Sequence, residues 1–374
     1  MDPRSGGPVE GVRQSGAALR GLGHQQEVVT LDDAASPFLQ SCAEAVHALG
    51  PSHLGYRYNA RLVDWLVRHA PSYDAVIVNG LWQYHSFGVW RAAKIKGFPY
   101  FVFPHGMLDP WFKRQYRAKH FKKWLYWPWA DYRVLRDARA VLFTTEEERR
   151  LARQSFWLYR AAEQVVGYGT SAPPPSSPRL IERFSARFPQ LRDKRLLLFL
   201  GRIHEKKGCD LLLRAFAHVA CNDRRLRLVF CGADDGELAS ALKQDAAASQ
   251  QFESVSWLGH LQDDLKWGAF YSSELFVLPS HQENFGVAVA EALGCRLPVL
   301  ISNKVNIWRE VESYRAGIVC ADTLDGITTA LHAWLALSTA ERGAFATRAR
   351  ALFDQRFTAQ AAAQSLLRAL ARDH

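Results

Sequence analysis

Short apolar runs closed by glycine or proline recur along this chain, each separated from the next by a stretch long enough for a helix. That alternation limits the fold more than any other feature. In the second half, RLLLFL (Arg195–Leu200), Leu226–Cys231, Val255–Trp257, Leu275–Leu278 and Val299–Ile301 read as strands. Helices are expected between them at Asp210–Ala220, Gly236–Ala247, Leu265–Ser272 and Gly286–Gly294. The first half repeats the rhythm with strands at Glu27–Leu31, Ala75–Val78, Tyr100–Phe103 and Ala140–Phe143, and helices at Val12–Gly23, Tyr58–His69 and Phe87–Lys96. Strands alternating with helices define a parallel α/β sheet of the doubly wound kind. Gly201, Gly232 and Gly259 follow the carboxyl ends of such strands, where open sheets of this kind bind ligands.

With 374 residues, the chain is long enough for two domains at roughly 150 residues each. Thr170–Pro178 (TSAPPPSSP) breaks both helix and strand and marks the junction. The expected division is a first domain over 1–172, a linker over 173–190, a second domain over 191–355 and a C-terminal helix over 356–374. Ser338–Asp354 and Thr358–Arg372 both read as amphipathic helices.

A 48% hydrophobic and 22% charged composition excludes a mainly disordered chain. No apolar run approaches the roughly 18 residues of a membrane span, and MDPRSGGPVEG has no secretion-signal pattern, so a cytoplasmic protein is expected. Six scattered cysteines show neither a disulfide framework nor zinc spacing. The net charge of +10 calls for a negative partner: nucleic acid, an anionic membrane or a phosphorylated small molecule.

Residues 280–300, SHQENFGVAVAEALGCRLPVL, narrow that choice. A strand ends, a polar loop follows, and a helix opens near Gly286, so the amides of Phe285, Gly286 and Val287 suit a phosphate. Glu283 stands in the loop and Glu291 eight residues later, on the order of 10 Å along a helix rising about 1.5 Å per residue. Either the two carboxylates bracket an anion site and take hydroxyls, or Glu283 caps the helix and Glu291 is solvated. In GRIHEKKGCDLLLRAF, residues 201–216, Arg202 and Lys207 stand at Arg-x4-Lys spacing in another strand-to-helix loop. Two such cations suit a diphosphate, though alone they are as readily just solvated.

The Arg-x4-Lys loop with Gly208, and the Glu-x7-Glu block running to Gly294 and Pro298-Val299, resemble glycosyltransferase family 4. The likeness runs from Ser5 to at least Val319. It implies the GT-B type of fold, two facing Rossmann-like domains with a cleft between them. It also implies a retaining, metal-independent enzyme moving sugar from a nucleoside diphosphate to a saccharide or lipid-linked acceptor in exopolysaccharide or lipopolysaccharide synthesis. By resemblance Arg202 and Lys207 clamp the diphosphate and Glu283 meets sugar hydroxyls. Asn284, Phe285, Gly286 and Val287 face phosphate or sugar, Glu291 takes the ribose, and Gly232, His260 and Leu261 flank the base. Gly6 and Gly7 match the family's glycine loop. His105, in Pro104-His105-Gly106 at a strand end, matches the histidine kept beside the donor sugar. Read from its residues alone, His105 is either a loop histidine satisfied by backbone or a hydrogen-bond donor with charge tunable near neutral pH. Family members begin with an apolar strand before the glycine loop. This chain starts at Met1-Asp2-Pro3, so the first sheet is expected to lack that central strand. An inactive nucleotide-sugar-binding scaffold is the rival that this raises.

WFKRQYRAKHFKKWLYWPW, residues 111–129, carries six Lys or Arg and no acid among four tryptophans. It suits an anionic membrane face, or single-stranded nucleic acid, or a solvated helix with core tryptophans. The resemblance favours peripheral contact with the inner membrane face. A nucleic-acid-binding protein is disfavoured because no zinc spacing or helix-turn-helix accompanies the charge.

Overall fold

The computed structural model describes residues 1–2, 7–40, 42–52, 55–220, 223–233, 236–248 and 254–371. It divides into two compact units, residues 1–169 with 359–374, and residues 170–358. The C-terminal helix, Ala359–Ala371, therefore belongs with the first unit, where Ala363, Leu366 and Ala369 join the core around Phe101, Phe103 and Leu142. Residues 173–190, read from sequence as a linker, lie in the second unit. They hold the helix Pro178–Arg187, whose Leu180 and Phe184 are buried. Pro178 opens that helix at a position where its missing N–H costs nothing.

In the second unit β7 (Arg195–Leu200), β8 (Leu226–Cys231), β9 (Val255–Trp257), β10 (Leu275–Leu278), β11 (Val299–Ser302) and β12 (Gly317–Cys320) form one sheet in the order β12-β11-β10-β7-β8-β9. Every pairing is parallel, with Leu198 opposite Val229 and Phe276 opposite Leu198. The central strands β7, β8, β10 and β11 are buried almost throughout, which is why they read as unbroken apolar runs. Chain order reverses between β7 and β10, so the loops leaving these two strands open side by side.

In the first unit β3 (Val76–Asn79), β4 (Tyr100–Phe103), β5 (Ala140–Phe143) and β6 (Glu163–Val165) pair in chain order, all parallel. The strands β1 (Glu27–Thr30) and β2 (Ala45–Ala48) form a separate parallel pair. The first unit thus has two sheets where the strand rhythm predicts one. The opening helix spans Gly7–Gly21, starting earlier than the expected Val12, because Pro8 fits a first turn and Glu10 lies near its positive end.

The basic stretch folds as two short helices, Trp111–Gln115 and Arg117–Tyr126, and one tight turn, Trp127–Trp129. Only part of it is core. Trp127 is fully buried and stacks on Phe156 at 4.3 Å, while Trp124 and Trp129 are exposed. Truncating Trp127 to Ala is expected to lower unfolding stability by about 3–5 kcal/mol, measured by chemical denaturation.

No helix among the described residues is long and apolar enough to cross a membrane. Cys209, Cys231 and Cys295 are buried free thiols, and Cys221 lies outside the described residues.

Candidate functional site

The loops after β7 and β10 are tied together by backbone. The amides of His281 and Gln282 both donate to the Lys206 carbonyl, at 2.8 and 3.4 Å. That fixes Lys207 beside Glu283, and the Lys207 ammonium pairs with a Glu283 carboxylate oxygen, each side chain only 16% exposed. Burial alone would raise the Glu283 carboxyl. The cations Lys207, Lys206 and Arg202 outweigh it and hold the group below its ordinary range. Three cations therefore bear on this carboxylate, a positive field suited to an anion.

Glu283 is anchored from β11 as well: its amide donates to the Lys304 carbonyl (3.0 Å) and its carbonyl accepts from the Asn306 amide (3.0 Å). The Asn306 side chain then donates to Asn284 Oδ1 at 3.3 Å. The helix Val287–Gly294 opens on Gly286, whose φ of 77° is left-handed and free of penalty only for glycine. The first bonds back to Gly286 come from Val289 and Ala290, so the Gly286 and Val287 amides have no backbone acceptor among the described residues. Phe285 turns inward and packs edge-on against Phe357, which anchors the turn.

Glu291 is buried on the same helix and pairs with Lys266 at 2.6 Å, so it is not the solvated helix residue of the alternative reading. Gly232, at the end of β8, donates to the Gly259 carbonyl at 2.8 Å. A Cβ there would lie 1.9 Å from the Gly201 carbonyl oxygen, so close approach of two backbones requires glycine. Leu261 is buried and His260 exposed. The structure thus gathers Arg202, Lys207, Glu283, Asn284, Gly286 and Val287 at the strand-order reversal. Gly232 and Glu291 stand on adjoining elements.

His105 and Gly7 lie in the other unit and share Tyr168. The Tyr168 hydroxyl donates to the Gly7 carbonyl at 2.8 Å, and its ring meets the His105 ring edge-on. Gly7 is the first helical residue, and Gly6 lies outside the described residues. His105 has a left-handed φ of 49°, stacks on Phe103, and places Nε2 2.9 Å from Asn79 Oδ1. An amide oxygen only accepts, so Nε2 carries the hydrogen and Nδ1 keeps its lone pair. Burial pushes the ring down to about 4, leaving it neutral at pH 7. Where the sequence suggested a donor of tunable charge, the structure holds a neutral ring whose remaining nitrogen is an acceptor.

Because the folded ring resists protonation and the unfolded one accepts a proton below 6.5, its contribution to stability is complete above 6.5 and is lost as pH falls toward about 4. Thermal melts between about pH 7 and about pH 5 are expected to show a smaller loss of Tm for His105→Gln than for the parent.

Sequence reasoning missed several supports. Glu148 is buried and accepts from the Gly106 amide (2.6 Å) and from the amide and hydroxyl of Thr144, so it shapes the loop that carries His105. Its signal was the Thr145-x-x-Glu148 spacing of a capped helix start: the Thr145 hydroxyl accepts from the Glu148 amide. Lys266, Lys304 and Asn306 carried no such signal, because the fold brings them to the site from other elements, the helix Asp263–Tyr271 and the loop after β11.

This geometry defines an α/β protein with a cation-bearing loop paired with the Glu283 loop at the switch point of a Rossmann-order sheet. Residues 181–351 match the family described as Glycosyl transferases group 1, and residues 6–169 the Glycosyl transferase 4-like domain. The chain belongs to the family-4 glycosyltransferases, with the GT-B type of α/β architecture. It is 26% identical over 200 residues to the alpha-D-kanosaminyltransferase of Streptomyces kanamyceticus, covering 51% of this chain and 49% of that protein. It is 24% identical over 298 residues to the mannosylfructose-phosphate synthase of Agrobacterium fabrum, covering 77% and 62%. Neither curated relative is matched over two thirds of its own length. Among solved structures, Anabaena HepE in complex with UDP and glucose matches 100% of this chain and 97% of that chain at 18% identity, with a TM-score of 0.78.

Proposed function

We propose that this protein is a retaining glycosyltransferase that moves a hexose from a nucleoside-diphosphate sugar to a saccharide or lipid-linked acceptor of cell-surface polysaccharide synthesis. The observation that carries the reading is the Lys207–Glu283 ion pair, in the positive field of Lys206 and Arg202, beside the Gly286-initiated helix. The cations take the diphosphate and stabilise charge as it develops on the departing phosphate. Glu283 accepts from hydroxyls of the donor sugar, Glu291 from the ribose, and the Gly286 and Val287 amides donate to phosphate. Gly232, His260 and Leu261 flank the base.

In the transfer step the bond between the anomeric carbon and the diphosphate oxygen breaks. The acceptor oxygen bonds the same face of that carbon, and its proton passes to the departing phosphate. Positive charge from Arg202 and Lys207 supplies the stabilisation, with no divalent ion in the scheme. The first unit, with Gly7 and the neutral His105, serves the acceptor side, and residues 111–129 contact an anionic membrane face.

HepE was solved with UDP-glucose, which makes UDP-sugars the first donors to try. A thermal-shift screen of UDP-, GDP- and ADP-sugars tests the donor half of the reading, since a ligand that binds the folded state raises Tm by mass action. Saturable stabilisation by one base, followed by release of the free nucleoside diphosphate with acceptor present, is expected. Binding without any turnover would identify a scaffold instead.

A further inference from the structure

A groove of about 790 Å³ runs along the first unit between the two basic helices and the segment Gln154–Trp157. Lys113, Arg114 and Arg117 line it together with Phe121, Trp124 and Trp157, and no acidic side chain contributes. Arg117, Phe121 and Trp124 share one helix face, at spacings of four and three residues. His120 stacks on Phe156 in the groove wall at 4.9 Å. Burial lowers the His120 ring first, and Lys113 and Lys123 lower it further, so the positive field is felt inside the groove.

The apolar part is exposed and continuous. Phe121 is 61% exposed, Trp124 42% and Trp157 67%, with Leu125 beside them at 54%. Phe121 and Trp124 lie nearly parallel at 6.5 Å, and Trp124 meets Trp157 at 6.5 Å. Such a patch is unfavourable in water and marks a contact surface. The exposed rings of Phe121, Trp124 and Trp157 suit hydrocarbon chains, and the adjoining cations suit a phosphate.

We propose that this groove seats one anionic membrane lipid, its phosphate on Lys113, Arg114 and Arg117 and its chains against Phe121, Trp124 and Trp157. This deepens the membrane contact inferred above, and rests on it, by giving that contact a discrete site.

The test uses the full chain and vesicles of phosphatidylcholine with or without phosphatidylglycerol. Cosedimentation is expected only with the anionic vesicles. Each basic side chain at such a surface contributes about fivefold, so Lys113→Gln/Arg114→Gln/Arg117→Gln is expected to weaken partitioning by about a hundredfold. Trp124→Ala/Trp157→Ala removes the blue shift of tryptophan fluorescence on binding. Chain-brominated phosphatidylglycerol quenches that fluorescence in the unaltered protein, a reading that needs no variant to fold. Millimolar inorganic phosphate leaves binding in place.

Equal binding to neutral vesicles, undiminished binding by the triple variant, no quenching by the brominated lipid, displacement by inorganic phosphate, or tighter binding to an oligonucleotide would each overturn the proposal. Nucleotide-sugar thermal shifts, recorded on the same preparations, separate failure of this groove from failure of the donor site.

Discussion

Glu283→Gln collapses turnover while nucleotide binding survives: kcat/KM for transfer is expected to fall by about a hundred- to a thousandfold, the scale seen when one preorganised transition-state contact is removed. In the parent site the Glu283 carboxylate is held ionised by Lys207, Lys206 and Arg202 against the pull of burial. Glutamine keeps the volume and a hydrogen-bonding oxygen but deletes the negative charge. The pocket becomes more positive, so affinity for a free nucleoside diphosphate is expected to hold or rise as transfer collapses. Lys207→Gln reverses that sign: losing a charge-assisted bond to phosphate, worth about 1.5–3 kcal/mol, weakens diphosphate affinity by about tenfold or more. Glutamine is a better probe than alanine because removing the whole Glu283 side chain would strand a largely buried Lys207 ammonium. Isothermal titration with UDP or GDP, beside initial rates of transfer, reads both signs. Unchanged transfer by a folded Glu283→Gln protein, or diphosphate affinity that drops with it, would remove Glu283 from the reaction.

The second unit was legible in sequence because its central strands are covered on both faces and must be apolar at every position. RLLLFL and LFVL leave no other reading, and their carboxyl-end loops then place Arg202, Lys207 and Glu283 at one switch point. Two edge strands, β6 and β12, were harder to read. Of these, EQV in β6 is partly buried and polar at two of its three positions, so it carries no apolar run; GIVC in β12 is apolar but only partly buried, and it opens on a glycine, which weakens a strand reading. The role of Lys206 was invisible because its decisive group is a backbone carbonyl, which any residue type supplies. His105 was found through its neighbours Pro104 and Gly106, yet its protonation could not be read. That depends on Asn79 across a parallel strand pair and on burial, which one stretch of sequence does not encode.

Gly232→Ala is expected to cost about a hundredfold in transfer without touching any charged group, because it acts on the spacing of two loops. The added Cβ would stand 1.9 Å from the Gly201 carbonyl oxygen and 2.6 Å from its carbon, both main-chain atoms with no rotamer in which to retreat. Relief requires the turn after β7 to shift by about 1 Å, and that turn carries Arg202; a displacement of this size at a reacting centre lowers rates by about a hundredfold. Strain of this kind also lowers stability by about 1–3 kcal/mol. Gly236→Ala is the control, since a Cβ there meets nothing within 4 Å. Urea denaturation and transfer kinetics on the two variants separate the outcomes. Equal rates for Gly232→Ala and Gly236→Ala would mean that the Arg202 loop tolerates displacement, and that the diphosphate is not held at the switch point between β7 and β10.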